Sequence, residues 1–471
     1  MTSLIDTLLG GGAINRTWNY GEASAQMPLS LVDGEALLKG NLAIPEGSPP
    51  LGALFDLQSK DVRLTGCSFT GQHSVVGEKH YDGEIRPSQV WAASFDPFEG
   101  QVVQSVTLTH DDLGILFSTP PIKHVENYRF DTEGLDGLPE SVERVWFQER
   151  GPEFKVAVPE RGVSVRVSRT RSESSGQSGH ASFKAQTVIG LDFDNAVSTQ
   201  HALEIAADLG SMIAVLTLKP FSFRTVDMFC SDRRSAKLLW AHDRPRNQRG
   251  VGSFHEHVLP YMSPDQFAKL VRRHLTLTDH ERVARRMMTL SLEAEDTLGR
   301  FIAIAQAFEV LARIDRPAGP PVDKTDFKAA VEAAKTALSD AKMPDDVVER
   351  LGTLMRSSNA ESGRDALVRL MTDAMSQHGL GAKYPVEAVA RATNKARNTL
   401  VHIAAESFDG LNAQLETAVH AATELHFIYL LHDLAKAGIV VDLEVATRAK
   451  ANRDLGMQGH DWARSLDGGS E

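Results

Sequence analysis

In "NKARNTLVHIAAE", residues 394–406, an arginine, an asparagine and a histidine interrupt an otherwise small and aliphatic run. Those side-chain types suit a phosphodiester. The guanidinium of Arg397 offers a planar fork of donors to phosphate oxygens and stays charged at any relevant pH. Histidine side chains titrate near neutrality, so His402 can take a proton from a ribose 2′-hydroxyl or return one to a departing 5′-oxygen. Asn398, one turn before His402, can donate to a phosphate oxygen or orient the imidazole. No metal is required, because the attacking hydroxyl belongs to the substrate.

The element that must carry these groups reads as a helix. At about 100° per residue, Arg391, Asn394, Lys395, Asn398 and His402 share one stripe roughly 100° wide. Ala392, Ala396, Leu400 and Ile403 fall away from it and are predicted to face a core. Arg397 sits on a flank, about 140° from His402. The two side chains must therefore converge through the reach of arginine or across an interface. No acid occurs between Glu387 and Glu406, which makes a locally positive site in a chain of net charge −12. A solvated helix face has the same appearance, and an Arg-x4-His spacing arises by chance in many proteins. A purely structural role for Arg397 and His402 stays open at this point.

With 471 residues the chain exceeds one ordinary hydrophobic core, so two or three domains are expected. At 42% hydrophobic and 24% charged it reads as a soluble globular protein. The acidic balance argues against non-specific wrapping of nucleic acid by the whole molecule, but not against a local basic cleft. The two cysteines, Cys67 and Cys230, form no CxxC-like pattern. They suit a reducing cytosol, leave a disulfide open and give no zinc signature. The opening "MTSLIDTLLGGGAINRTWNY" lacks a basic leader and a long apolar run. No stretch reaches the roughly 20 apolar residues of a membrane span. A cytoplasmic protein without membrane contact is expected.

The texture changes near residue 280. Before it, "GALFDLQ" (52–58), "DVRLTGCSF" (61–69), "QVWAASF" (89–95), "QSVTLTH" (104–110), "KVAVP" (155–159), "VSVRVSR" (163–169) and "IAVLTL" (213–218) read as strands. The polar run 169–180 reads as a loop or hairpin tip. "SPDQFAKLVRRHL" (263–275) reads as a helix with a Ser-Pro start. After 280 the pattern is helical. A helix over 292–314 places Leu298, Phe301, Ala305, Phe308 and Leu311 on one stripe, and segments at 324–340, 344–357 and 363–379 are amphipathic. Helices over 385–409, stopped by Gly410, and over 411–438 complete the set. The fold class is α+β: a β-rich domain over 1–280, an all-helical domain over 281–445, and a polar tail over 446–471.

"RNTLVH" inside a late helix of an all-helical module resembles the Arg-x4–6-His motif of HEPN domains, which are helical-bundle ribonucleases and nucleotide-binding modules of conflict systems. "RFIAIAQAFEVLARI", with Glu309 between apolar residues, is similar to the first HEPN helix and its acidic position. "DVRLTGCSF", "GEIRPSQVWAASF" and "QSVTLTHDDLGILF" resemble the N-terminal region of the ApeA family of anti-phage proteins, which ends in a HEPN domain. The resemblance spans most of the chain, but only its Arg-Asn-x3-His core is sharp. It implies that Arg397 and His402 are the catalytic pair and Asn398 the polar residue of the motif. Glu309 would hold Arg397 by charge pairing, although an ordinary boundary glutamate would look the same. It implies an anti-phage endoribonuclease with no cofactor, working as a homodimer whose two motif helices face across a symmetric cleft. Arg391, Asn394 and Lys395 would bind RNA, with transfer RNA among the candidate substrates. An unidentified phage-derived trigger would release repression by the N-terminal half. A non-catalytic HEPN that binds nucleotide or RNA, or acts as a dimerising adaptor, would use the same basic helix. The long 315–380 connection departs from a minimal bundle.

Other segments read as non-sites. His255 and His257 alternate as metal ligands sometimes do, but no third ligand converges on them, so no metal is expected. The glycines of 9–15 lack a P-loop lysine and read as a turn. The basic stretch 233–250 reads as a solvated loop. No GxSxG elbow is present.

Overall fold

The computed structural model describes residues 4–9, 11–20, 23–32, 35–44, 54–59, 61–76, 78–93, 100–110, 113–117, 122–129, 141–147, 154–175, 181–231, 234–240, 257–259, 262–315, 322–357, 362–380, 384–402 and 408–454. The fold is α+β. The chain divides into a β-rich unit, Met1–Thr276, and a helical unit, Leu277–Glu471.

The β-rich unit opens with α1 (Leu4–Leu9), β1 (Ile14–Tyr20), β2 (Ala23–Val32), β3 (Glu35–Ile44), β4 (Phe55–Ser59), β5 (Val62–Val76), β6 (Glu78–Arg86), β7 (Gln89–Ala93) and β8 (Gln101–Thr109). It continues through α2 (Leu113–Leu116), β9 (Ile122–Arg129), β10 (Ser141–Phe147), β11 (Phe154–Val158), β12 (Val163–Ser175) and β13 (Ala181–Ser198). It ends with α3 (Thr199–Thr217), β14 (Thr225–Cys230), β15 (Ser235–Trp240) and α4 (Pro264–Leu275). Strands β5, β4, β1, β2, β3 and β6 pair in that order, and β6 returns to β5, closing an antiparallel barrel. The barrel core holds Trp18, Met27, Leu29, Leu38, Leu57, Leu64 and Ile85, with Ile5 and Leu8 of α1 packed into it. The Trp18 indole N–H donates to the Met27 carbonyl at 2.9 Å, so the buried ring leaves no orphan donor. From β5 the sheet runs outward through β7, β15, β14, β8, β13, β12 and β11. Along β11, Phe154, Val156 and Val158 point inward while Lys155 and Ala157 are exposed.

One glycine makes this junction. Val62–Thr65 of β5 pairs with β7, and Ser68–Val76 pairs with β6. Between them Gly66 sits at φ +60°. The Ser88 hydroxyl donates to the Gly66 carbonyl at 3.0 Å, and the Gly66 N–H donates to Asp56 at 3.1 Å. A Cβ there would lie 2.9 Å from the Ser88 hydroxyl oxygen.

Several expectations are corrected. Residues 213–217, expected as a strand, form the last turns of α3, which Ser198 caps by accepting from the His201 N–H. A short apolar run reads alike for a buried strand and a buried helix. The polar run from 169 is strand as far as Ser175, paired from Arg169↔Thr187 to Ser175↔Ala181. Backbone pairing does not need apolar side chains, and residues 176–180 lie outside the described residues. Within the stretch read as a solvated loop, Ser235–Trp240 forms β15 and buries Ala236, Leu238 and Leu239; residues 241–250 are not described. His257 is buried outside any strand, and His255 is not described. Among the described residues no cluster of His, Cys, Asp or Glu could hold a metal. Cys67 and Cys230 are both buried and are not joined in a disulfide, and burial pushes the Cys67 thiol up to about 12. The remaining corrections concern the helical unit.

That unit contains α5 (Asp279–Glu293), α6 (Thr297–Ile314), α7 (Lys324–Asp340), α8 (Asp345–Ser357), α9 (Gly363–Gln377), α10 (Val386–His402), α11 (Phe408–Lys436) and α12 (Leu443–Asp454). The helix expected over 292–314 is two: α5 ends at Glu293, and Asp296 caps α6 by accepting from the Gly299 N–H at 2.6 Å. Gly410 does not stop a helix but lies inside α11. The expected polar tail begins as helix, with Ala446 and Ala449 of α12 buried; residues 455–471 are not described. Helices α5, α6, α9, α10 and α11 pack on one another, whereas α7 and α8 pack chiefly as a hairpin, burying Val331 and Val348. Every residue from 424 to 434 of α11 is buried. Within that stretch Asp433 accepts from the Arg285 guanidinium at 2.7 Å, with side chains 4% and 5% exposed. No helix among the described residues is long and apolar enough to cross a membrane.

Gly66→Ala should lower stability by about 1–3 kcal/mol through forced left-handed backbone and crowding against Ser88, read by chemical denaturation. Arg285→Ala, which strips Asp433 of that partner in the core, should cost about 3–5 kcal/mol in the helical unit's transition.

Candidate functional site

Helix α10 starts just after Pro385 and is rich in small side chains. Ala388, Val389, Ala390, Ala392, Thr393, Ala396 and Leu400 are buried, which lets neighbouring helices approach closely. The opposite face carries the polar residues. Arg391, Lys395 and Asn398 are exposed, and Asn394 is half-buried. The apolar and cationic faces separate as the helical period requires. His402 closes α10; its backbone is helical and its side chain lies outside the described residues, as does Ile403. Along the axis it stands five residues, about 7.5 Å, beyond Arg397.

Arg397 lies on the flank of the stripe and pairs with Glu309 of α6 through Nη2 and Oε1. The side chains are 40% and 36% exposed, so this is a surface pair. Glu309 follows buried Phe308 and sits two residues before buried Leu311, at the edge of the packed face of α6. A glutamate there reaches across to α10 while its own helix stays anchored in the core. A guanidinium has five N–H donors. A carboxylate on Nη2 fixes one edge of the group and leaves others toward solvent, where a phosphate oxygen can be received.

The structure thus brings together Arg397 and Glu309 and puts Arg391, Lys395 and Asn398 on the solvent side of the same helix. Reading the sequence alone gave no role to the polar row inside α11: Glu424, His426, His432 and Asp433, all buried. Each has a partner on another element. Lys450 pairs with Glu424 at 2.8 Å, Asp315 lies 3.7 Å from His432, and Arg285 holds Asp433. His426 Nε2 meets the Ser291 hydroxyl at 2.7 Å, and that hydroxyl donates to the Arg300 carbonyl at 2.5 Å. A serine has one proton to give, so His426 Nε2 must be the donor to Ser291. This is the reverse of a base-activated nucleophile, and the pair serves packing. Polar residues recurring on a helix otherwise apolar all round were the available signal.

No protein-family model, no curated protein and no solved structure matches the chain. The functional reading therefore rests on the residues of α10 and α6 themselves.

Because the Arg397–Glu309 pair is solvated, Arg397→Ala and Glu309→Gln should each change stability by no more than about 1 kcal/mol. A loss of several kcal/mol in denaturant titrations would instead mark Arg397 as a structural residue.

Proposed function

We propose that the helical unit is a HEPN-type domain and that the protein is an endoribonuclease, acting in anti-phage defence under control of the β-rich unit. The observation that supports this best is the guanidinium of Arg397, held by Glu309 and half-open to solvent beside an acid-free polar helix face. Arg391, Asn394 and Lys395 bind the RNA backbone through charge and amide donors. The ribose 2′-oxygen attacks the adjacent phosphorus and the bond to the 5′-oxygen breaks. His402 moves the proton, as base toward the 2′-hydroxyl or as acid toward the leaving oxygen. Arg397 neutralises charge growing on the phosphoryl oxygens, and Asn398 orients the phosphate or the imidazole. The products are a 2′,3′-cyclic phosphate and a 5′-hydroxyl. A homodimer with two α10 helices facing each other would place Arg397 of one copy beside His402 of the other, which resolves their separation around a single helix.

Purified protein incubated with total RNA should cut it equally well with and without chelator, leaving cyclic phosphate ends. His402→Ala should reduce cleavage by at least about 10²-fold without altering the helical circular dichroism. Binding of RNA with no cleavage by wild-type protein would point to the adaptor role instead.

A further inference from the structure

We propose that His378 is an acid-released clasp holding α12, the last of the described helices, to the bundle. The inference is independent of the ribonuclease reading. His378 follows α9 as its C-cap and is 3% exposed. Its Nδ1 accepts the backbone N–H of Val441 at 3.1 Å, and its Nε2 meets the Leu431 carbonyl of α11 at 2.8 Å. A backbone N–H can only donate, so Nδ1 must be bare, and the proton on Nε2 is given to Leu431. Both ring nitrogens are used, and only the neutral ring satisfies both bonds. A second proton on Nδ1 would set two donors face to face in a buried site.

The bond lands at a sensitive place. Gly438, at φ +69°, turns the chain out of α11, and Val441 immediately precedes the cap of α12. That cap is Asp442, whose Oδ1 accepts from the N–H groups of Glu444 and Val445 at 2.9 and 3.1 Å. Beyond it, α12 is held by the Lys450–Glu424 pair and by burial of small side chains, Ala446 and Ala449. Freeing Val441 displaces the cap on which the helix starts.

The charged groups on the surrounding elements pair elsewhere or bond to neither ring nitrogen. On α11, Asp433 pairs with Arg285, His432 and Lys436 with Asp315, and Glu424 with Lys450. On α9, Arg369 donates to the Asp315 carbonyl, and Asp373 lies more than one turn before His378. On α12, Glu444 and Arg448 flank the capped turn. The ring's two partners are both backbone groups, so an imidazolium gains no compensating anion. Burial accordingly pulls the His378 pKa below its ordinary 6.5, with the Leu431 bond opposing in part. A depressed histidine contributes stability that is full above 6.5 and lost as pH falls below it, because the opened form takes up a proton that the closed form resists.

Hydrogen exchange of the full chain, corrected for intrinsic rates, tests this. Protection of amides 443–454 should fall up to about tenfold between about pH 7.5 and about pH 5.5 in wild type, at one proton per opening. His378→Gln, whose amide can accept from Val441 and donate to Leu431 without titrating, should change less than about twofold over that range. Constant wild-type protection, an equal loss in the variant, or removal of the acid response by His432→Gln would each overturn the proposal. Should the glutamine variant be open already at the higher pH, ring nitrogen resonances of wild-type His378 decide. A bare Nδ1 titrating together with α12 amide shifts upholds the clasp, and separate midpoints overturn it.

Discussion

A helix buried on every side has nowhere to put a polar side chain except against another polar group, and α11 carries four such side chains through its buried turns. The Arg285–Asp433 pair is the most enclosed of the ion pairs that result. Two charges taken out of water regain that loss only if they meet in good geometry. The pair therefore tolerates few alternative alignments of α5 against α11. His426 on Ser291 and His432 on Asp315 add further tie points to α5 and to the end of α6. Apolar surface supplies most of the attraction between these helices, but it would accept several registers. The polar row singles out one, and so indirectly sets where α6 offers Glu309 to α10.

Against that rigid centre, α10 is built to opposite rules. Its packed face is mainly alanine, which lets it lie close to its neighbours without large interlocking side chains. Its outer face keeps its charges wet. Arg397 stands where these regimes meet: anchored enough by Glu309 to have a direction, exposed enough to meet a solute. An arginine fully sealed in the core could not accept a phosphate, and one free in water would have to be ordered at binding.

What could be read from residues alone follows from where the physics is local. Ser263 and Gln266 form the capping box that starts α4 within four residues, and the Ser-Pro start pointed to it directly. The amphipathic segments α7, α8 and α9 announced themselves by spacing. The polar stripe of α10 was legible because a helical period is enough to separate Arg391 and Lys395 from Ala392 and Ala396. Long-range partnerships were not. Nothing near 169–175 reveals that β13 will pair with it, and an apolar run such as 213–217 is equally suited to strand or helix until its partners are known. The barrel escaped for the same reason, since its closure depends on β6 meeting β5 after Gly66 has let that strand change neighbours. The contact of Arg397 with Glu309 lay between these extremes: chemistry suggested the match, but only the packing of α6 on its neighbours brings the carboxylate within reach.

Among its described side chains the α7–α8 hairpin buries little more than Val331 and Val348, and it leans mainly on itself. Such an appendage can lengthen, shrink or accept foreign residues at its tip while the five packed helices keep their contacts. It is thus the natural place in this chain for evolutionary drift in size, and for an experimenter to graft a reporter without disturbing α10.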